Sequence, residues 1–164
     1  MRAALLVIDV QKAFFKDPVA ARTLDSAIEY INAAVDLFRK KDWPVICVQH
    51  MEVEENLAPG QKGFDIPESL NILPTDLRIH KTYCNSFNKT PLCEELRRRR
   101  VDTVIVTGYC AEYCVLSTCR GAQDLDLTPL ILRGAIASGA EENIRFVESV
   151  NDLISYSALQ KMLE

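Results

Sequence analysis

The chain has 164 residues, 48% of them hydrophobic and 26% charged, with a formal net charge of −4. That length suits one domain with a real core, and that apolar fraction excludes a disordered chain. The acidic balance gives no reason to expect a nucleic-acid partner.

In chain order, residues 3–8 form a continuous apolar run closed by Asp9, as a strand buried on both faces should read. Leu24, Ile28, Ile31, Val35 and Phe38 then follow at helical spacing, with Thr23, Asp25 and Ser26 as N-cap candidates. Pro44 ends that helix, and residues 45–48 supply a second strand. Residues 50–76 hold Pro59, Pro67 and Pro74 and show no clean period, so they read as loop. A short third strand covers 77–79, with Lys81 just beyond it. Thr90 and Pro91 make an N-cap and first-turn pair for a helix through Leu92 and Leu96. Residues 103–107 are the fourth strand, followed by a helix bearing Val115, Cys119 and Ala122. Residues 129–132 are the fifth strand, after which Ser138 and Glu141 suggest a capping box for a helix with Ile144 and Val147. A weak sixth strand at 153–155 precedes a terminal helix capped by Ser157 with Gln160. Strands alternating with helices predict an α/β fold, a three-layer, doubly wound, Rossmann-like, six-stranded parallel sheet with helices on both faces. One domain over 1–164 is expected.

Residues 1–10 carry one basic residue and reach Asp9 after six apolar ones, too short for a signal peptide. No stretch approaches the roughly eighteen apolar residues of a membrane span. A cytoplasmic protein with reduced thiols and no membrane partner is expected. Its six cysteines, at 47, 84, 93, 110, 114 and 119, contain no Cys-x-x-Cys, so each needs its own explanation.

In open parallel sheets, ligands bind beyond the carboxyl ends of the strands. Asp9, Lys81 and Cys114 all fall there. Cys114 sits where loop passes into helix, and a thiol in a first helical turn feels a positive dipole end that favours thiolate. A buried structural cysteine is the alternative reading. A nearby lysine would add to thiolate stabilisation. Asp9, behind six apolar residues, is desolvated towards the pKa range of a general base, the alternative being a solvated acid or a cap. In the commonest doubly wound order, strands one and three are separated by strand two, about 9–10 Å. Lys81 must therefore lean inward or reach across. The four arginines at 97–100 read as a solvated helix end.

Three ordered motifs then resemble the isochorismatase-like cysteine hydrolases, which include nicotinamidases and N-carbamoylsarcosine amidase. The first is Leu5-Leu6-Val7-Ile8-Asp9-Val10-Gln11 with Phe14, the second Lys81, Ser86-Phe87, Thr90 and Leu92, the third Gly108 with Cys114-Val115. The match runs from strand one to about Gly134. The resemblance implies an Asp9, Lys81, Cys114 triad acting on a small carboxamide or carbamoyl compound through a thioester. It also implies a non-proline cis peptide at Tyr109–Cys110, with the Cys110 and Cys114 backbone N–H groups facing the oxyanion. Cys47, Cys84, Cys93 and Cys119 are left as packing residues.

Gln11, Phe14, His50, Phe87, Tyr109 and Tyr113 are the candidates for the substrate pocket. Nicotinamidases carry a metal-binding Asp-x-His after strand two plus another histidine, whereas here Gln49-His50-Met51 stands there and the other histidine is His80. Zinc usually takes at least three protein side chains, so no metal and no cofactor are expected. The chain leaves no spare length for a lid, so the pocket should be shallow unless a second subunit closes it, and a homo-oligomer is expected. Two other functions stand beside the amidohydrolase: an isochorismatase-type vinyl-ether hydrolase using Asp9, and a catalytically silent binding or redox-responsive protein.

Overall fold

Strand β1 (Ala3–Ile8) is buried along its whole length because its alternating side chains feed two separate cores. Ala3, Leu5 and Val7 enter one, and Ala4, Leu6 and Ile8 the other. Each fully buried leucine or isoleucine here contributes on the order of 1.5–3 kcal/mol. The computed structural model describes residues Met1–Glu164. Around β1 are arranged α1 (Pro18–Lys40), β2 (Val45–His50), β3 (Leu77–Lys81), α2 (Leu92–Arg98), β4 (Thr103–Tyr109), α3 (Leu116–Asp124), β5 (Thr128–Ala137), α4 (Glu141–Ser149), β6 (Leu153–Ile154) and α5 (Tyr156–Leu163). No helix is long and apolar enough to cross a membrane.

The six strands form one all-parallel sheet in the order β3-β2-β1-β4-β5-β6. Helices α1 and α5 pack on the first core, through Leu24, Ile31, Phe38, Leu159 and Leu163. Helices α2, α3 and α4 close the second, through Leu92, Leu96, Cys119, Ala122 and Val147. This is the expected three-layer α/β architecture. Its chain order reverses between β1 and β4, which is where a doubly wound sheet opens a crevice for a ligand.

Several predicted boundaries move. Helix α1 begins at Pro18, with the Asp17 carboxylate accepting from the Ala20 N–H at 2.7 Å, so Thr23, Asp25 and Ser26 lie inside it. Thr23 instead bonds Ser138 in both directions. Ser138 and Glu141 form no capping box: Ala140 is the N-cap of α4 and makes no side-chain cap bond. At α5 the cap is Ser155, whose hydroxyl accepts from the Ala158 N–H, and Ser157 lies in the first turn. Lys81 is the last residue of β3 and not a loop residue after it.

Candidate active site

The carboxyl ends of β1 and β4 come together at Ile8 and Gly108, which are register partners. Gly108 has φ +113, and a Cβ there would stand 2.0 Å from the Ile8 carbonyl oxygen. No other residue permits so close an approach. Asp9 leaves β1 with φ 52, a left-handed conformation that aspartate tolerates better than most residues. After Gly108 the chain passes through a cis peptide at Tyr109–Cys110 into a π-helical turn, Ala111–Val115, that carries Cys114 and leads into α3. Both functional groups therefore flank the point where the sheet order reverses.

Lys81 reaches them from two strands away. Its ammonium donates to Asp9 Oδ2 at 2.8 Å and to Cys114 Sγ at 3.2 Å, and faces His50 Nδ1 at 3.2 Å. His50 ends β2 as the register partner of Lys81, so the side chain crosses over the intervening strand. A long unbranched side chain is the type that can span the strand spacing while keeping its charge at the far end. Asp9 and Lys81 are both essentially inaccessible to solvent, with 1% of each residue exposed. Asp9 Oδ1 has no hydrogen-bond partner.

The electrostatics differ from the sequence expectation for the thiol. Burial, followed by the Asp9 charge, pushes the Cys114 pKa up, outweighing Lys81, so the resting group is a protonated thiol. The helix-end argument is thus overturned by desolvation. Burial also raises Asp9, with Lys81 pulling the other way. For Lys81 burial opposes the charge, but Asp9 and Cys114 outweigh it and the net shift is upward. The pair is best described as a buried carboxylate and ammonium sharing one contact, beside a neutral thiol that can give its proton to Asp9.

Asp9, His50 and Cys114 offer three possible ligand atoms within 4.8 Å of one another. The Lys81 ammonium touches all three, so the cation of this cluster is a side chain. His80 does not join them, because its side chain points to the other face of β3 and packs edge-on against the Phe64 ring.

A cleft of about 550 Å³ lies over the cluster. Of the six pocket candidates, Phe14, His50, Tyr109 and Tyr113 line it. The Phe14 and Tyr109 rings stack at 4.7 Å between centroids, and Tyr113 stands 61% exposed at the mouth. Gln11 and Phe87 are placed elsewhere. Gln11 is fully buried and donates to the His50 and Phe64 carbonyls while accepting from the His50 N–H, which pins the 50–76 loop. Phe87 packs into the core under the site, next to the Ser86–Thr118 hydroxyl pair at 2.8 Å. Cys110 lines the cleft with its thiol pushed up to about 12 by burial and by Glu112, and its N–H donates to no group of the protein. Cys47 and Cys119 are buried, Cys93 half-buried, and Cys84 is exposed on the cleft wall.

Sequence reading missed Glu112. Its carboxylate accepts from Ser138 Oγ at 2.8 Å and Asn143 Nδ2 at 2.9 Å, on the cleft wall two residues before Cys114. Burial acts against the charge, but the Cys110 thiol and its own backbone N–H, joined by Ser138 and Asn143, hold its carboxyl below the usual carboxylate range. The position of Ser138 beyond the carboxyl end of β5 was the available signal.

Fold and site together describe a doubly wound α/β protein whose crevice at the sheet reversal holds an acid and a thiol in contact with one lysine. Residues 3–148 match the isochorismatase domain, so the chain belongs to the isochorismatase family of hydrolases. It is 32% identical over 139 residues to the uncharacterized isochorismatase family protein YrdC of Bacillus subtilis, covering 84% of this chain and 74% of that one. It is 33% identical over 79 residues to the ureidoacrylate amidohydrolase RutB of Caulobacter vibrioides, covering 48% of this chain and 35% of that one. An isochorismatase-like hydrolase from Alkaliphilus metalliredigens superimposes with a TM-score of 0.89 at 22% identity over all of both chains. The N-carbamoylsarcosine amidase of Thermoplasma acidophilum gives 0.82 at 21% identity, over 94% of this chain and 95% of that one.

Proposed function

We propose that this protein is a metal-independent cysteine amidohydrolase that cleaves a small carboxamide or carbamoyl compound through a thioester. The observation that carries this reading is the Lys81 ammonium in contact with both Asp9 and Cys114 under an open cleft. The partial similarity to a ureidoacrylate amidohydrolase supports the same reaction class.

Asp9 Oδ1 is the free acceptor that takes the Cys114 proton, and Lys81 holds the carboxylate and offsets the thiolate as it forms. The sulfur attacks the carbonyl carbon, and the oxyanion is met by the Cys110 and Cys114 backbone N–H groups. The proton on Asp9 passes to the leaving nitrogen, which departs as ammonia or an amine. Water, deprotonated by Asp9, then attacks the thioester carbonyl, and the acid leaves as the thiol is restored. His50, with Nδ1 towards Lys81 and Nε2 3.6 Å from Glu52, orients the lysine.

Cys114→Ala and Asp9→Ala, compared on a panel of small amides, ureas and carbamoyl compounds by ammonia release, test the assignment. Loss of activity in both folded variants supports it. Ammonia release retained in Cys114→Ala contradicts the cysteine nucleophile, whereas hydrolysis of an enol ether such as isochorismate that is lost in Asp9→Ala and kept in Cys114→Ala indicates acid-centred vinyl-ether chemistry instead. A single domain over the whole chain and a homo-oligomer complete the proposal, and a fully active monomer in light scattering contradicts the latter.

A further inference from the structure

Besides the Asp9–Lys81 pair, the charged groups lining the cleft are three carboxylates, Glu52, Glu55 and Glu112, and one ammonium, Lys16. Glu112 differs from the other two acids in being fixed. Ser138, which orients it, is fully buried and exchanges two hydrogen bonds with Thr23 of α1, while Asn143 grips the other oxygen from α4. Each Glu112 oxygen accepts one bond within the protein and keeps capacity for another. Asp9, paired with Lys81, lines the same cleft but is committed to the thiol, so Glu112 is the fixed carboxylate left to meet the rest of a substrate. The walls around the thiol are therefore rich in acceptors and negative charge, and a substrate that brings donors satisfies them.

We propose that the amide substrate of this cleft carries a protonated amine on its non-reacting part, and that Glu112 is the residue that selects it. This rests on the amidohydrolase reading for the word substrate, but the charge preference belongs to the cleft itself. A carboxylate-bearing amide meets three negative groups against one positive and is disfavoured.

Two thiol reagents that share a thioethyl arm and differ in the charged group at its end read this without any substrate: 2-aminoethyl methanethiosulfonate, a cation, and 2-sulfonatoethyl methanethiosulfonate, an anion. Each transfers its thioalkyl group to Cys114 with loss of methanesulfinate, and the modified peptide is followed by mass. Relative to free cysteine, the cation is expected to react about tenfold faster than the anion. Glu112→Gln keeps a side chain able to bond both Ser138 and Asn143 but removes the charge, and it should bring that ratio down several-fold. An equal slowing of both reagents in the variant shows that Glu112 only positions the turn, and a wild-type ratio of one or below overturns the proposal whether or not the variant folds. Ammonia release from β-alaninamide, propionamide and succinamate provides the second arm. The cationic amide should be preferred, with Glu112→Gln raising its KM and leaving kcat little changed. Preference for succinamate contradicts the selectivity. Turnover of none of them, or of any amide, with the reagent ratio intact, defeats the amidohydrolase reading alone.

Discussion

Lys81 Nζ lies 2.8 Å from Asp9 Oδ2, although the strands that carry the two residues are separated by β2. The contact is dry, so neither charge has water to fall back on. Breaking such a pair by removing one partner typically costs about 3–5 kcal/mol, or forces the remaining group to neutralise. In Lys81→Met, Asp9 is expected to bind a proton at neutral pH and cease to act as a base. Ammonia release should fall by about two to four orders of magnitude, and alkylation of Cys114 by iodoacetamide should slow with it. Lys81→Arg is not expected to restore activity, because a planar guanidinium cannot occupy the point where one ammonium meets Asp9, His50 and Cys114.

The pH profile follows from the same burial. The proposed mechanism needs Asp9 ionised, and burial raises its pKa, so the ionised fraction is lost sooner on acidification than for an exposed carboxylate. The acid limb of kcat/KM should therefore have its midpoint above the usual carboxylate value of about 4. Lys81, shifted upward, keeps its charge through neutrality, and Cys114 is not a preformed thiolate. A rise in activity with a midpoint near the free thiol value of about 8.5 would contradict this account.

Gln11 is expected to govern the loop wall and not the chemistry. Gln11→Ala takes the side-chain partner from both the N–H and the carbonyl of His50, while the Phe64 carbonyl keeps its bond from Gln49. A loss of about 2–3 kcal/mol in chemical denaturation is expected. The surviving activity should show a raised KM, since His50, which that bond holds, lines the cleft.

Gly108→Ala tests the geometry at the sheet reversal. The added Cβ falls 2.0 Å from the Ile8 carbonyl and the positive φ strains any side chain, so β1 and β4 must part at the site. Thermal denaturation should show a loss of at least about 3 kcal/mol or no folded protein.

What the residues disclosed by themselves was the part governed by local pattern. The apolar run before Asp9 and the helical spacing from Leu24 to Phe38 come from burial, and burial leaves a period in sequence. The Asp17-Pro18 pair is also a local helix start, but it lies more than a turn ahead of the apolar stripe, where Thr23, Asp25 and Ser26 offer the same chemistry closer to hand. Ser138 looked like a cap because its spacing to Glu141 fits one, but its hydroxyl serves Glu112, 26 residues away. Gln11 likewise spends its amide on carbonyls 39 and 53 residues distant. No spacing rule reports such pairings. The Cys114 pKa failed for a related reason: a dipole is local, whereas burial and the Asp9 charge are set by the assembled sheet end.

The most direct test of the central claim is the mass of the Cys114 peptide from enzyme quenched in acid during turnover of an active amide. The expected result is an acyl adduct on Cys114 that appears with the first burst of ammonia and disappears with hydroxylamine. Sustained ammonia release with Cys114 unmodified, and equal release from Cys114→Ser, would contradict it.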